Sequence, residues 1–361
     1  MKRLDLVLLF IASITLALAT KKNLIIDTDL FSDVDDAGAL LLAATSPDVN
    51  LLAVNVNHPS SYSALTASAI LAHYGKAHVP IGIPRPLTNT TFFDAWFFAL
   101  GEYTSKVAYH FSGGSLPWGR AEDAWNPVVL YRKALAEAED GSVTIVSIGF
   151  LDNLSGLLNS TADTHSPLTG RDLVSRKVAE LVVMGGVYPS GGPSWNFWGS
   201  NASLAAHVIN TWDRGGRVTF LGNDVGKHVL TGGPLMTTMK GLATDPVRMA
   251  YIYYSYYNPR PSWDPLAVLY AINGLGDLFE HGNEGGGYNH VEPDGTNRWV
   301  WDDEQAGRDH FFLRLKADNE TAAAEVDRLF LRGALSAVGE KGLAQENASS
   351  LCRSCGHHEE L

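Results

Sequence analysis

The stretch LIIDTDLFSDVDDAGALLLAA, Leu24–Ala44, decides how the rest of the chain is read. Leu24-Ile25-Ile26 is a short apolar run, the mark of a strand buried in a parallel sheet. Five carboxylates follow within ten residues: Asp27, Asp29, Asp33, Asp35 and Asp36. Ala37–Ala44, rich in Ala and Leu, reads as a helix. The acids therefore stand at the carboxyl end of a strand and the amino end of a helix, where open α/β sheets bind their ligands. Capping and the helix dipole account for one or two of them. The remainder would repel one another unless a positive charge lay among them. A hard divalent cation with oxygen ligands, Ca²⁺ or Mg²⁺, meets that need.

Outward from this stretch the grammar of a doubly wound α/β sheet continues. Leu51–Val56 reads as a second strand running into Asn57, Ser61–Tyr74 as a helix capped by Ser60 or Ser61, and Val79–Ile83 as a third strand. Residues 84–125 interrupt the pattern with ten aromatics among prolines and glycines. That insertion suits either a ligand wall or a satellite cluster packed beneath a loop. Asn126-Pro127 is a helix start, a cap followed by proline at the first helical position. Strands follow at Val143–Ile148, Glu180–Met184 and Val218–Leu221. Tyr251–Tyr257 carries five tyrosines that cannot share one helical face. Tyr288–Trp301, with Asp294-Gly295 at its centre, predicts a hairpin, and Phe311–Leu315 a strand. Asn319–Val338 closes the domain as an amphipathic helix, and a polar tail is expected from Gly339 onward.

The chain has 361 residues, 45% of them hydrophobic, enough for one large core in a single domain spanning residues 20–338. Its formal charge of −12, without a basic stripe, argues against a nucleic-acid partner. Residues 1–19 read as a secretory signal: Lys2 and Arg3, an apolar Leu6–Leu16, then Ala17-Leu18-Ala19 for cleavage. No later run is long enough to span a membrane. Six N-x-S/T sequons, at Asn89, Asn153, Asn159, Asn201, Asn319 and Asn347, and a terminal His358-Glu359-Glu360-Leu361 fit a secreted product or one kept in the endoplasmic reticulum. Cys352 and Cys355 have neither a second pair nor a βαβ context, and read as a local disulfide.

Asp27-Thr28-Asp29-x-x-x-Asp33-x-Asp35-Asp36-Ala37 resembles the signature of the nucleoside hydrolases in its longer form. Three further segments resemble that family in the expected order: Gly149-Phe150-Leu151-Asp152-Asn153-Leu154, then Met184-Gly185-Gly186 with Ser194-Trp195-Asn196-Phe197, then Trp263-Asp264-Pro265-Leu266-Ala267-Val268. The resemblance implies an open, mostly parallel sheet flanked by helices, and cleavage of the N-glycosidic bond of small-molecule nucleosides. It implies Ca²⁺ held by Asp29, Asp36, Asp264 and the Asp152 carbonyl, with Asp29 as general base. It also implies Asp35, Asn57 and Asn196 on the ribose, and assembly as a homodimer or homotetramer. Four positions depart from the family pattern. Phe31 stands where a glycine is usual, Asp152 at a threonine, Ser194 at a ribose-binding glutamate, and Trp263 at a histidine proposed to protonate the leaving base. Ser194 makes a weaker, neutral contact. Trp263, with Trp195, offers a ring for the base to stack upon. Two other functions compete. A secreted sugar- or nucleoside-binding protein could use the same fold without catalysis. A Mg²⁺-dependent phosphatase could use Asp27 as nucleophile, but would leave Asp35, Asp36 and Asp264 unexplained.

Overall fold

The Leu24–Ile26 run lies inside β1 (Lys22–Thr28), which is buried on both faces. Leu24 and Ile26 enter one hydrophobic core and Ile25 the other, the period-2 alternation of a strand covered by helices on each side. The structure, a computed structural model, describes residues 21–92, 101–212, 216–238, 241, 244–283, 286–301 and 308–355, with side chains as far as residue 339.

The other strands are β2 (Val49–Val56), β3 (Ile81–Gly82), β4 (Val143–Ser147), β5 (Val178–Met184), β6 (Gly192–Pro193) and β7 (Arg217–Leu221). They continue with β8 (Leu230–Thr231), β9 (Arg260–Pro261), β10 (Phe279–His281), β11 (Tyr288–Val291), β12 (Thr296–Val300) and β13 (His310–Leu315). Eight of them form one sheet in the order β10-β13-β7-β5-β4-β1-β2-β3, parallel throughout except for β10 at the edge. The chain builds outward from β1 through β2 to β3, then returns to place β4 on the other side of β1. That reversal opens a crevice beyond the carboxyl ends of β1 and β4.

The Asp35–Thr45 helix follows β1 and is buried from Asp35 to Ala44. It packs against the Trp263–Asn273 and Asn319–Cys355 helices. Gly38 permits the approach, since a Cβ there would stand 2.5 Å from Phe330 Cζ. Ser46-Pro47 ends the helix, because the residue before proline is driven out of the α region. Local rules hold elsewhere too. Asn126 Oδ1 accepts from the Val128 and Val129 amides at 3.0 and 3.2 Å, with Pro127 at the first helical position.

Some expectations shift. The last helix runs through to Cys355 instead of yielding to a tail at Gly339. In the aromatic insertion, Tyr103 and Leu116 join the core while Tyr109 and Trp118 face solvent. Of the clustered tyrosines, Tyr251 and Tyr254 are buried, and Tyr256 and Tyr257 project from left-handed backbone beyond the Pro246–Ser255 helix. The β11–β12 hairpin turns at Asp294-Gly295 as expected. The signal segment, residues 93–100 and the terminal His358–Leu361 motif lie outside the described residues, as do the side chains of Cys352 and Cys355. None of the described helices is long and apolar enough to cross a membrane.

Candidate active site

Three strand ends converge on the crevice. The Asn57 amide donates to the Thr28 carbonyl at 2.8 Å, and the Ile148 amide to the Asp27 carbonyl at 2.7 Å, so the ladder continues past β2 and β4. Gly149 follows, and only glycine fits. A Cβ there would lie 2.3 Å from the Asp29 amide nitrogen and 2.2 Å from Asn57 Oδ1.

Asp27 lies beneath this floor, fully buried, and acts as a hub. Its carboxylate accepts from the Tyr131 hydroxyl at 2.6 Å, from Asn57 Nδ2 and from Asn153 Nδ2 at 3.3 Å. Burial pushes its pKa up to about 7 even against those three donors. A buried carboxylate held in this way makes a poor nucleophile, and its geometry is that of a support for Asn57. Asn153, half of a sequon, is itself buried and donates to the Val56 carbonyl at 3.1 Å.

The acids beyond β1 separate by role. Carboxylate oxygens of Asp35, Asp36 and Asp264 lie within 4.8 Å of one another, all three side chains buried. Burial raises the pKa of each well above the ordinary carboxylate value, and repulsion from neighbouring carboxylates raises it further: Asp33 and Asp29 act on Asp35, Asp29 and Asp35 on Asp36, and Asp35 and Asp36 on Asp264. Asp36 also accepts a short hydrogen bond from the Thr28 hydroxyl. Asp35 Oδ2 accepts from the backbone amides of Trp263 and Asp264 at 3.0 and 3.1 Å. Asp264, the second residue of its helix, therefore does not cap it: Asp35, more than 200 positions earlier in the chain, does. Asp29 stands outside the three-acid group, is 4% exposed, and is pushed up to about 7 by burial and then by the charge of Asp33, against hydrogen bonds that include the Trp195 side chain. Asp33 turns away to a forked ion pair with Arg260, its shortest contact 2.5 Å. Such a buried all-oxygen group, each member resisting ionisation, has the donor chemistry of a hard divalent cation site.

The remaining expected residues surround this group. Asn196 Nδ2 donates to the Ile148 and Met184 carbonyls, both at 3.1 Å, which fixes its side chain between β4 and β5. Ser194 is buried and donates to Asn223 Oδ1 at 3.0 Å. The Trp263 indole donates to the Asn223 carbonyl at 2.7 Å, so its ring face rather than its N–H is left for a ligand. Asp152 opens the Asp152–Leu158 helix, and its carboxylate accepts from Ser200 Oγ at 2.9 Å. Trp195 and Trp198, half exposed, meet edge to face at 4.8 Å. Phe31 tucks inward, 4.5 Å from the His58 ring and 5.9 Å from Phe92, which is how a bulky residue is housed at a tight turn. His58 also contacts Phe150 at 5.3 Å, and burial lowers its pKa to about 4, so the imidazole is neutral at ordinary pH.

The geometry agrees with the comparisons. Residues 24–330 match the family model described as inosine-uridine preferring nucleoside hydrolase. The chain belongs to that family. As a nucleoside hydrolase it is a nucleoside N-ribohydrolase enzyme. It is similar to the inosine-uridine preferring nucleoside hydrolase of Crithidia fasciculata, 26% identical over 270 residues covering 70% of this chain and 79% of the relative. Among solved structures, a plant nucleoside hydrolase superposes with a TM-score of 0.62 at 17% identity, covering 86% of this chain and 98% of that one. The inosine-uridine preferring nucleoside hydrolase of Bacillus anthracis gives 0.58 at 18% identity, covering 87% and 99%. These likenesses establish the nucleoside hydrolase fold.

Three contributors to this candidate site escape a reading of the sequence. Asn223 follows β7 in Gly222-Asn223-Asp224, a turn-like string whose signal is only that it ends a buried strand. His58 follows Asn57 as an ordinary turn residue. Arg260 lies three residues before Trp263 and 227 from its partner Asp33, with no periodicity to connect them.

Proposed function

We propose that this nucleoside hydrolase cleaves the C1′–N bond of ribonucleosides, inosine and uridine among them, with Ca²⁺ as its cation. The observation that carries the reading is the buried group of Asp35, Asp36 and Asp264 beside Asp29, at the sheet's switch point. Asp29, Asp36, Asp264 and the Asp152 carbonyl are the donors for the cation, with Asp35 close enough to share it or to grip a sugar hydroxyl. When bound, Ca²⁺ supplies the positive charge that lets these carboxylates ionise together, orients the sugar's vicinal hydroxyls and makes a water more acidic.

The residues of the chain then divide the work. Asp29 accepts the proton of the attacking water as its oxygen bonds to C1′. The C1′–N bond breaks with its electron pair passing to the base, through a sugar with oxocarbenium character. Asn57, held by Asp27, and Asn196, held by two carbonyls, fix the ribose before reaction, so that no rotamer search accompanies the chemistry. Trp263 and Trp195 provide ring faces against the base. No histidine precedes Asp264, and the departing nitrogen takes its proton from solvent. Ser194, turned to Asn223, offers the sugar less than a carboxylate would.

Incubation of the protein with inosine, uridine, adenosine and guanosine tests this reading. Free base is quantified with Ca²⁺, with EDTA, and with Asp29→Ala. Release that needs the cation and is lost in the variant is expected. Phosphate release from a phosphorylated substrate, or nucleoside binding without release, would overturn it.

A further inference from the structure

Asp33 and Arg260 form a closed structure of their own. Arg260 Nε lies 2.9 and 3.1 Å from the two Asp33 oxygens and Nη2 lies 2.5 Å from Oδ2, a forked, charge-assisted contact. Both side chains are largely buried, at 19% and 23% exposed. The guanidinium also lies over two rings, 5.4 Å from the centre of Tyr254 and 5.8 Å from that of Trp263. Tyr254 meets Tyr103 edge to face at 6.0 Å, and the Tyr103 hydroxyl donates to the Asp33 carbonyl at 2.6 Å. The circuit therefore runs Asp33, Arg260, Tyr254, Tyr103 and back to Asp33.

That circuit joins two segments that share no hydrogen-bonded strand pairing. On one side is the loop between Asp29 and Asp36. On the other is the segment Arg260–Asp264, which leads from β9 into the helix bearing Asp264. Asp35 makes the neighbouring link by accepting from the Trp263 and Asp264 amides. An aspartate and an arginine of this kind are costly to bury singly, so each holds the other in place. Lysine would supply the charge without the fork, and an alanine at either position would free both the loop and the Trp263 ring.

We propose that the Asp33–Arg260 pair is a latch, and that Arg260 is a positioning residue. It sets the distance between the acids that follow β1 and the Trp263–Asp264 start of the helix, touching neither substrate nor cation. The inference rests on the nucleoside hydrolase reading above for its effect on rate, but not for its effect on geometry.

A double-mutant cycle tests it with Asp33→Asn, Arg260→Gln and both together, each first checked for folding by circular dichroism. Arg260→Lys serves as a second probe, should either neutral variant fail to fold. Each single change is expected to lower kcat/KM by about ten- to a hundredfold, mainly through kcat, as a displacement near the reacting atoms does. The double variant is expected to lose no more than the worse single one, because the two side chains act as one unit. Arg260→Lys should fall between wild type and Arg260→Gln. Ca²⁺ affinity of each protein, measured by calorimetry, is the readout independent of turnover, and should weaken in the same order. Single variants within about twofold of wild type in both kcat/KM and Ca²⁺ affinity, or losses that multiply in the double variant, would overturn the latch. A wild type that binds Ca²⁺ but releases no base would overturn the proposed function alone, and calorimetry would still decide the latch.

Discussion

Replacing Asp27 by asparagine should flatten the pH dependence of stability in protein freed of divalent ions. Asp27 is fully buried, and its pKa rises from 3.8 to about 7 in the folded chain because burial disfavours the carboxylate. Between those values the folded state holds a proton that the unfolded chain has released. Stability therefore falls as pH rises through that window, by about 1.4 kcal/mol for each pH unit. The full window would remove roughly 4 kcal/mol, and the loss is complete once pH passes about 7. Asparagine carries no such proton, while its amide oxygen still accepts from Tyr131 or Asn57. Urea unfolding in EDTA, followed by tryptophan fluorescence, reads this directly. From about pH 5 to about pH 6.5, wild type should lose about 2 kcal/mol more than the variant. Asp35, Asp36 and Asp264 add slopes of the same sign to both proteins and cancel in the difference, while Asp29, whose pKa the Asp27 charge raises in small part, keeps most of its slope in the variant. Parallel stability lines for the two proteins would refute the assignment of a proton to Asp27.

Three further outcomes are expected. Asp29→Ala should lower kcat by about two to four orders of magnitude, measured as base release at saturating nucleoside, while folding cooperatively in urea. Trp263→Ala should reduce kcat/KM by about tenfold, the worth of a ring stack, and Trp263→Phe should recover most of it; steady-state kinetics on inosine would show both. Gly38→Ala should cost about 1–3 kcal/mol in chemical denaturation, since its Cβ would sit 2.5 Å from Phe330 Cζ between packed helices.

The sequence carried a large part of this structure because its local signals were strong. The apolar run before Asp27 has the length of a buried strand, Asn126-Pro127 the chemistry of a helix start, and Asp294-Gly295 that of a hairpin turn, and each forms what it signals. The acid string pointed to a candidate site because five like charges need partners, which the chain supplies for Asp27 and Asp33. What stayed hidden depends on partners distant in sequence. The resemblance sets Asp35 apart from Asp33 but names a protein partner for neither, and only the fold brings Arg260 to one and the Trp263 amide to the other. Asp264 stands in the first turn of its helix, yet it is Asp35 that accepts from the amides there. Phe31 looks misplaced in a tight turn until His58 and Phe92 supply a recess for its ring. The final helix passed its expected end at Gly339 because one glycine costs a helix about 1 kcal/mol, too little to stop one flanked by good helix formers.

Asp35 joins a residue near the start of the chain to amides 228 and 229 positions later. That link fixes the order in which the molecule can be completed. As the chain leaves the ribosome, β1 and the acids emerge first, and most of the sheet can form before their partners exist. Until residues 263 and 264 have been made, the Asp35 carboxylate lacks its backbone donors, and the three-acid group lacks a member. Any fragment that stops short of Arg260 must therefore carry an unfinished site, however much of the sheet it has assembled. Closing so long a loop is slow relative to pairing neighbouring strands. The active centre should accordingly be among the last regions to gain protection from hydrogen exchange during refolding, although the acids that follow β1 are translated well before their partners.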